Sequence, residues 1–561
     1  MIYVNLLFLL AFTALCFAFA YCFFRRSDKT IRVVSGETGF KKPVRIILAV
    51  LICLFVLLRV FRFGQVPGGI NQDEAMAAVD AKALAEYGTD RFGTRLPAHF
   101  YAWGYGQMSV LMSYCMVPFI KLFGFSIVTV RLPVLIASIL GLASVFLIVK
   151  ELISTDAALV AALFASVSPW HFMQSRWALD CNMFPHMFII GFMLLICGIK
   201  KKPFIYLSMV FFALCMYSYG VSFYMVPLFL IAAAVALICL KAVKIRHILI
   251  SAVLYLLMSF PICFTMLINV MGWDTVSLPF VTMQSFKDCI RTKDMLFFSG
   301  APLTQLISNI RSEINVLVFQ NGTAWNTIAD FGTVYLCSIP FVLLGFGICI
   351  YRSVKEEKTE KRAAYLLLVI YSACAVLVGI FINDVNINRI NIAHYAGIVF
   401  MSVGIYHLIS WKKKSAYAVS AVYGLLCILF FASYFYAWPG AIERIFYSDF
   451  LQSLDYAKTL DFDKCYISPD TQFTGTANVS EILTLYEYKI DARYFQGKTD
   501  SFEGKEIAYK DRYVYSNPTE KKPEPDGNVV YIVRSNAYPD YDFSDWEYKE
   551  FGEYRVFSAK K

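Results

Sequence analysis

Charge is what this chain has least of. Only 16% of its 561 residues are Asp, Glu, Lys or Arg, while 58% are hydrophobic. Soluble domains carry roughly 25% charged residues, so a chain whose whole surface faces water is excluded. Metal-site spacing is missing as well. The 15 cysteines form no Cys-x-x-Cys or Cys/His pattern. Those inside apolar runs, such as Cys16, Cys53, Cys215 and Cys427, read as small hydrophobes. There is no Gly-x-Gly-x-x-Gly, P-loop, His-Glu-x-x-His or Gly-x-Ser-x-Gly context. That leaves out the usual nucleotide cradle, the zinc peptidase and the serine hydrolase. No internal repeat and no low-complexity tract is present. The net charge of +10 suggests a nucleic-acid partner only if position is ignored, and in an apolar chain the placement of Lys and Arg outweighs their sum. We expect no nucleic-acid partner.

What is present is a series of long apolar runs. A membrane span needs about 20 apolar residues, and twelve stretches qualify: 2–24, 44–63, 131–149, 156–173, 183–199, 203–219, 222–240, 248–270, 333–351, 363–382, 392–410 and 416–438. Basic clusters mark the cytoplasmic ends, for example Arg25-Arg26, Lys200-Lys201-Lys202 and Lys412-Lys413-Lys414. The first run has its charge after the apolar stretch, the reverse of a signal peptide, so it reads as a retained helix. A further apolar run, 107–124, contains Pro118 and Lys121. Counting it as a span would put Lys200-Lys201-Lys202 outside, so it reads as an interfacial helix within one large outside loop, 64–130. A second long outside loop covers 271–332. Beyond Trp438 the chain turns polar and Tyr-rich, with strand-like runs at Cys465-Tyr466-Ile467 and Val529-Val530-Tyr531-Ile532-Val533.

The expected architecture is therefore an all-α polytopic membrane protein of about twelve transmembrane helices, with a small extracytoplasmic α/β domain at its C-terminal end. The divisions are an extra helix and linker at 1–43, a transmembrane catalytic domain at 44–438 and a soluble domain at 439–561. Aromatic residues reach 17%, with 35 Tyr, which suits interfacial belts and an amphipathic ligand. Asn321-Gly322-Thr323 and Asn478-Val479-Ser480 match the N-glycosylation acceptor pattern and matter only in a eukaryotic secretory compartment.

Four polar stretches on the outside face could carry chemistry. Asp73-Glu74 follows the first loop break at once. A carboxylate there can act as general base to an acceptor hydroxyl, orient the acceptor, or hold a divalent cation. It can equally be the acidic first turn of a helix capped by Asn71. In Ser168-Pro169-Trp170-His171 through Asp180, a helical course would set Arg176 and Asp180 one turn apart. That gives either a self-paired salt bridge or an anion-binding Arg beside an orienting acid. The run Asn383 to Tyr395 is rich in amides and holds Asn388, Arg389 and His394. Amides suit sugar hydroxyls and Arg suits phosphate. In the first loop, Lys82, Arg95 and His99 alternate with aromatics and Gly turns, a pattern suited to a lipid phosphate or to anionic-lipid anchoring.

In order along the chain come a helix, Asp73-Glu74, Gly88, Gly93 and Pro97, then an amphipathic stretch ending Leu122-Phe123-Gly124. Arg131-Leu132-Pro133, Ser168-Pro169-Trp170, Ser175-Arg176 and Asp180 follow. This set resembles the GT-C membrane glycosyltransferases, in the branch of protein O-mannosyltransferases and bacterial aminoarabinose transferases. The clear match covers about residues 44–200. The extra helix 2–24 and the reduction of the family's Pro-Pro-Leu-type signature to Leu96-Pro97 set the chain in a divergent bacterial subgroup. The resemblance implies a polyprenyl-phosphate sugar donor, transfer outside the cytoplasm, and inversion at the anomeric carbon. It makes Asp73 the catalytic acid, with Glu74 beside it and Asp180 as the second-loop acid. A lipid-phosphate leaving group needs cations, for which Lys82, Arg95, Arg176 and Arg389 are the candidates. His99, His171, Asn388 and His394 are candidates for contacting substrate. No metal ligand and no cofactor is assigned, a divalent cation being an option for the acid pair. The acceptor is a glycan, lipid or protein, at a bacterial plasma membrane. A lipid-linked sugar or polysaccharide transporter is the competing reading, although the inverted repeats and broken helices of transporters are not seen. A polysaccharide polymerase or ligase would share the donor.

Overall fold

In the computed structural model the described residues are 2–34, 39–103, 106–286, 296, 301–469, 478–516, 528–534 and 543–559. Gly104 and Tyr105 of the first-loop stretch, and part of the long loop 271–332, lie outside them. The chain divides into two compact units. One holds residues 1–63, 134–263 and 290–438, and the other holds 64–133, 264–289 and 439–561.

Among the described residues, nine helices are long and apolar enough to cross a membrane. They include Tyr3–Phe24, Ile127–Leu152, Asp180–Lys200, Leu336–Lys355, Thr359–Phe381 and Ala393–Trp411. This is a multi-pass membrane protein. Helices dominate because lipid offers no partner to a bare backbone N–H or C=O, so each spanning segment must satisfy its own. Three runs expected to span form shorter helices: Lys42–Leu58, Thr155–Val167 and Pro203–Met216. The second stops at Ser168, whose extended backbone (φ −61°, ψ 126°) is what the following Pro169 requires.

Within the first unit, Ile339–Lys355 and Ala393–Trp411 approach at glycines. A side chain on Gly345 would lie 1.8 Å from the Phe400 carbonyl oxygen, and one on Gly404 would lie 2.2 Å from that of Phe341. Small residues at such crossings let backbones touch where hydrophobic driving force between helices is absent. The helix Pro302–Leu317 is amphipathic and lies outside the spanning set. Leu303, Ile307, Ile310 and Ile314 form its exposed apolar stripe. Its opposite side buries Asn309, which donates to the Ile380 carbonyl at 2.9 Å, and Glu313, set against Gly379.

The second unit is α/β. Its five-stranded sheet runs in the order Trp546–Phe551, Tyr554–Ala559, Val529–Arg534, Lys464–Ile467, Tyr513–Val514. The first three strands pair antiparallel and the last two join in parallel. Tyr531, Val533, Trp546 and Phe557 form a core on one face. The helix Gln72–Tyr87 packs on Leu111–Phe123 and on Asn478–Glu487. Leu111–Phe123 has 13 residues, too few to span a bilayer, and Ser113 Oγ ties it to the Ala77 carbonyl at 2.8 Å.

Burial raises the Glu313 carboxyl from its ordinary range to about 8, and its Oε1 has no hydrogen-bond partner among the described residues. The folded chain therefore holds a proton there that the unfolded chain releases, and stability falls as pH rises from about 4.5 through 8. Thermal unfolding of Glu313→Gln should match the parent near pH 4.5. Its advantage should grow steadily towards pH 8 and level off above that.

Candidate active site

The start of the helix Gln72–Tyr87 is set by its own sequence. Asn71 adopts extended backbone and its side chain accepts from the Asp73 N–H at 3.0 Å, supplying one of the partners that a helix start lacks. Asp73 and Glu74 then sit in the first turn, where the helix dipole favours acids. The far end closes at Gly88, left-handed at φ 68°, with its N–H on the Leu84 carbonyl.

The two acids diverge. Glu74 is fully buried and takes a two-point bond from Arg131, Nε to Oε1 at 2.8 Å and Nη2 to Oε2 at 2.9 Å. The same guanidinium donates to the Pro67 carbonyl at 2.8 Å and to that of Gly69 at 3.0 Å. Gly69 stands at φ 70°, where a side chain would come within 2.1 Å of the Phe446 carbonyl oxygen, and the next residue, Ile70, donates its N–H to that oxygen at 2.8 Å. So the loop before the helix is held from two sides. Asp73 is only partly buried. Its Oδ1 accepts from the Trp103 indole N–H at 2.9 Å. Helical geometry turns neighbouring residues about 100° apart, and one acid faces inward while the other stays accessible. Both Glu74 oxygens are held by Arg131 in a buried pair.

The remaining first-loop candidates separate in the same way. Lys82 Nζ donates to Glu86 at 3.0 Å and to the Ile490 carbonyl at 3.4 Å. The Arg95 side chain is exposed, while its carbonyl accepts from Thr282 at 2.6 Å. His99 is buried against the Phe286 ring. Nearby, Asp80 and Arg91 form a buried ion pair, and Asp80 Oδ1 also accepts the Arg91 backbone N–H at 3.0 Å. Burial pushes Asp80 up to about 6 despite that partner. A carboxyl shared between a guanidinium and a backbone amide shapes the turn rather than offering itself to substrate.

In the other unit, the chain from Arg176 to Leu179 is not helical. The short helix Pro169–Gln174 ends first, and Arg176 lies in irregular chain before Asp180–Lys200 begins. Arg176 is fully buried. It donates to the carbonyls of Arg59 at 2.5 Å, Phe61 at 2.9 Å and Arg62 at 3.1 Å, and to Tyr434 Oη at 3.1 Å. These carbonyls follow the helix Lys42–Leu58, where a cation supplies the donors that the chain end lacks. The guanidinium expected at a phosphate is thus engaged by three carbonyls and the Tyr434 hydroxyl. Arg59 answers in kind, donating to the carbonyls of Ser166 and His171, both at 3.0 Å, and to Ser175 Oγ at 2.8 Å.

His171 is likewise internal. Its Nδ1 lies 2.9 Å from Arg59 Nη2, and its Nε2 lies 2.9 Å from the Tyr395 hydroxyl, which also meets His186 Nδ1 at 2.8 Å. Asp180 stays partly exposed, its Oδ1 accepting the Cys181 N–H at 2.7 Å. Asn388 accepts from Asn326 at 2.9 Å, and Asn326 accepts from Gln174 at 2.9 Å. Arg389 Nη1 donates to the Asn383 carbonyl at 2.5 Å. His394 is buried, stacked on Trp170 with centroids 5.0 Å apart. Among the described residues, no three His, Cys, Asp or Glu gather in a group that could hold a metal ion.

Residues 108–268 match the family model of dolichyl-phosphate-mannose-protein mannosyltransferase. The fold is similar to ArnT from Cupriavidus metallidurans bound to undecaprenyl phosphate, at TM-score 0.51 and 11% identity, over 92% of this chain and 99% of that one. The chain has the GT-C fold. The archaeal oligosaccharyltransferase AglB from Archaeoglobus fulgidus, in complex with an inhibitory peptide and a dolichol-phosphate, aligns at TM-score 0.45 and 11% identity, over 80% of this chain and 64% of that one. No curated protein matches the sequence significantly. Three residues that the sequence did not single out are Trp103, Arg59 and Tyr395, and Arg131, named there only within a motif, is a fourth. Arg131 had a signal: a lone Arg opening an apolar helix must find an acid or a set of carbonyls.

Removing one partner of a buried pair leaves an uncompensated charge. Arg131→Ala should therefore destabilise by about 3–5 kcal/mol, read as a fall in thermal midpoint of the purified chain. Arg176→Lys cannot fork to several carbonyls. It should lower the thermal midpoint of the purified chain, as loss of a structural donor set predicts.

Proposed function

We infer that the chain is an inverting glycosyltransferase that moves a sugar from a polyprenyl-phosphate donor to an acceptor on the extracytoplasmic face of the membrane. The observation that carries this reading is the division of labour at the helix start. Glu74 is immobilised by Arg131, while Asp73 keeps an accessible carboxylate oriented by Trp103. Support comes from the mannosyltransferase-family match over residues 108–268 and from the fold similarity to ArnT.

The chemistry assigned to these groups is simple. Asp73 takes the proton from an acceptor hydroxyl as its oxygen attacks the anomeric carbon. The bond from that carbon to the phosphate oxygen breaks, and the electron pair leaves with the polyprenyl phosphate. That leaving group already carries negative charge well, so it needs cations more than it needs a proton. Arg95, whose side chain is exposed, is the first choice for that task. Arg389 and Lys82 follow, each already donating to a backbone carbonyl. Asp180 is assigned to orienting substrate, and His99, His171, Asn388 and His394 to shaping the surrounding chain. The domain reading, with a catalytic membrane domain at 44–438 and an extracytoplasmic domain at 439–561, belongs to the same proposal.

Purified protein incubated with radiolabelled polyprenyl-phosphate sugars should move label to an acceptor. Asp73→Asn should lower that transfer by about a hundredfold or more without loss of expression. Trp103→Phe should lower it less and shift the pH–rate profile. Full transfer by Asp73→Asn would end the assignment of Asp73 as base, and absence of transfer from every such donor would end the donor class.

A further inference from the structure

The helix Ile2–Phe24 and the helix Ile339–Lys355 run in the same direction. Phe12 packs on Phe341 with centroids 4.7 Å apart, and eleven residues later Phe23 meets Tyr351 edge-on at 5.0 Å. Between them lies a groove of about 690 Å³, lined by residues including Thr13, Phe17, Ala20, Leu343, Gly347 and Tyr351. That volume is in the range of sites that enclose a small molecule. Its walls are apolar along their length. Even the Thr13 hydroxyl is turned back onto its own helix, donating to the Leu9 carbonyl at 2.7 Å. Phe17 and Leu343 are exposed at its rim, so the groove opens sideways to whatever hydrocarbon surrounds these helices.

One end of the groove is charged. Because the helices are parallel, Arg25 and Arg26 beyond Phe24 fall at the same end as Lys355. Among the described residues, none of the three has an acidic partner. Arg25 lies over the Tyr21 ring at 4.8 Å, and the neighbouring Arg352 pairs with Glu356. Three exposed cations at one end of an apolar groove complement an acyl chain that carries a negative headgroup. A zwitterionic lipid would bring a compensating cation to the same place.

We propose that this groove is a binding site for an anionic diacyl phospholipid, with an acyl chain between the two helices and its phosphate on Arg25, Arg26 and Lys355. The site is separate from the reaction assigned to Asp73, and it fastens the first helix to the helix Ile339–Lys355 through a lipid.

The test uses the full chain in detergent, mixed with phosphatidylglycerol or phosphatidylcholine of identical chains, with bound lipid counted by native mass spectrometry. Phosphatidylglycerol should be retained in preference to phosphatidylcholine. The triple variant Arg25→Gln, Arg26→Gln, Lys355→Gln should lower its retention on the order of tenfold or more, and Lys in place of both Arg residues should restore it. A side chain on Gly347 would meet nothing within 4 Å. Gly347→Phe should therefore fill the groove without disturbing the helices and lower retention of both lipids, with the thermal midpoint confirming the fold. Equal retention of the two lipids, unchanged retention by Gly347→Phe, or displacement of phosphatidylglycerol by equimolar undecaprenyl phosphate would each overturn the proposal.

Discussion

The buried pair between Glu74 and Arg131 is the interaction on which the first-loop site depends. Two charges withdrawn from water are costly, and each must recover the loss from geometry and extra hydrogen bonds. Here the guanidinium spends its donors on both carboxylate oxygens and on the carbonyls of Pro67 and Gly69. Residues 57 positions apart in the chain are locked to one another. The loop, the start of the helix Gln72–Tyr87 and the start of Ile127–Leu152 become a single rigid corner. Asp73, next in sequence to Glu74, inherits that rigidity and accepts from Trp103.

The same device recurs in the membrane unit with backbone in place of carboxylate. Arg59 and Arg176 exchange segments: each donates to carbonyls on the stretch that carries the other. A helix end inside an apolar protein leaves acceptors that water cannot reach. A planar group with five donors is well suited to satisfying several at once. Burial of these arginines thus reflects a demand of the backbone. The network His171, Tyr395, His186 extends from Arg59, and Trp170 with Asn391 adds a further tie at 2.6 Å.

Much of the architecture could be read along the chain. Apolar runs located the helices, and the change of composition after Trp438 located the sheet-bearing segment with its strands at Lys464–Ile467 and Val529–Arg534. The cap at Asn71 was legible because it is a contact over two residues. Less legible were the lengths of the helices before Pro169 and after Pro203, where apolar composition runs on past the point at which the backbone turns. The spacing of Arg176 from Asp180 would make a pair only in a helix, and the helix ends at Gln174.

What the sequence determined by itself is the class: a multi-pass helical membrane protein with a small mixed sheet and an acidic pair at the first loop. Hydrophobic length and composition are properties of contiguous residues, and lipid permits few answers to them. What only the tertiary structure decided is which acid of Asp73-Glu74 lies in a buried ion pair and which stays partly exposed. Adjacent carboxylates are equivalent in sequence. They become different only when Arg131 and Trp103, 57 and 30 residues away from Glu74 and Asp73, arrive on different sides of the same helical turn.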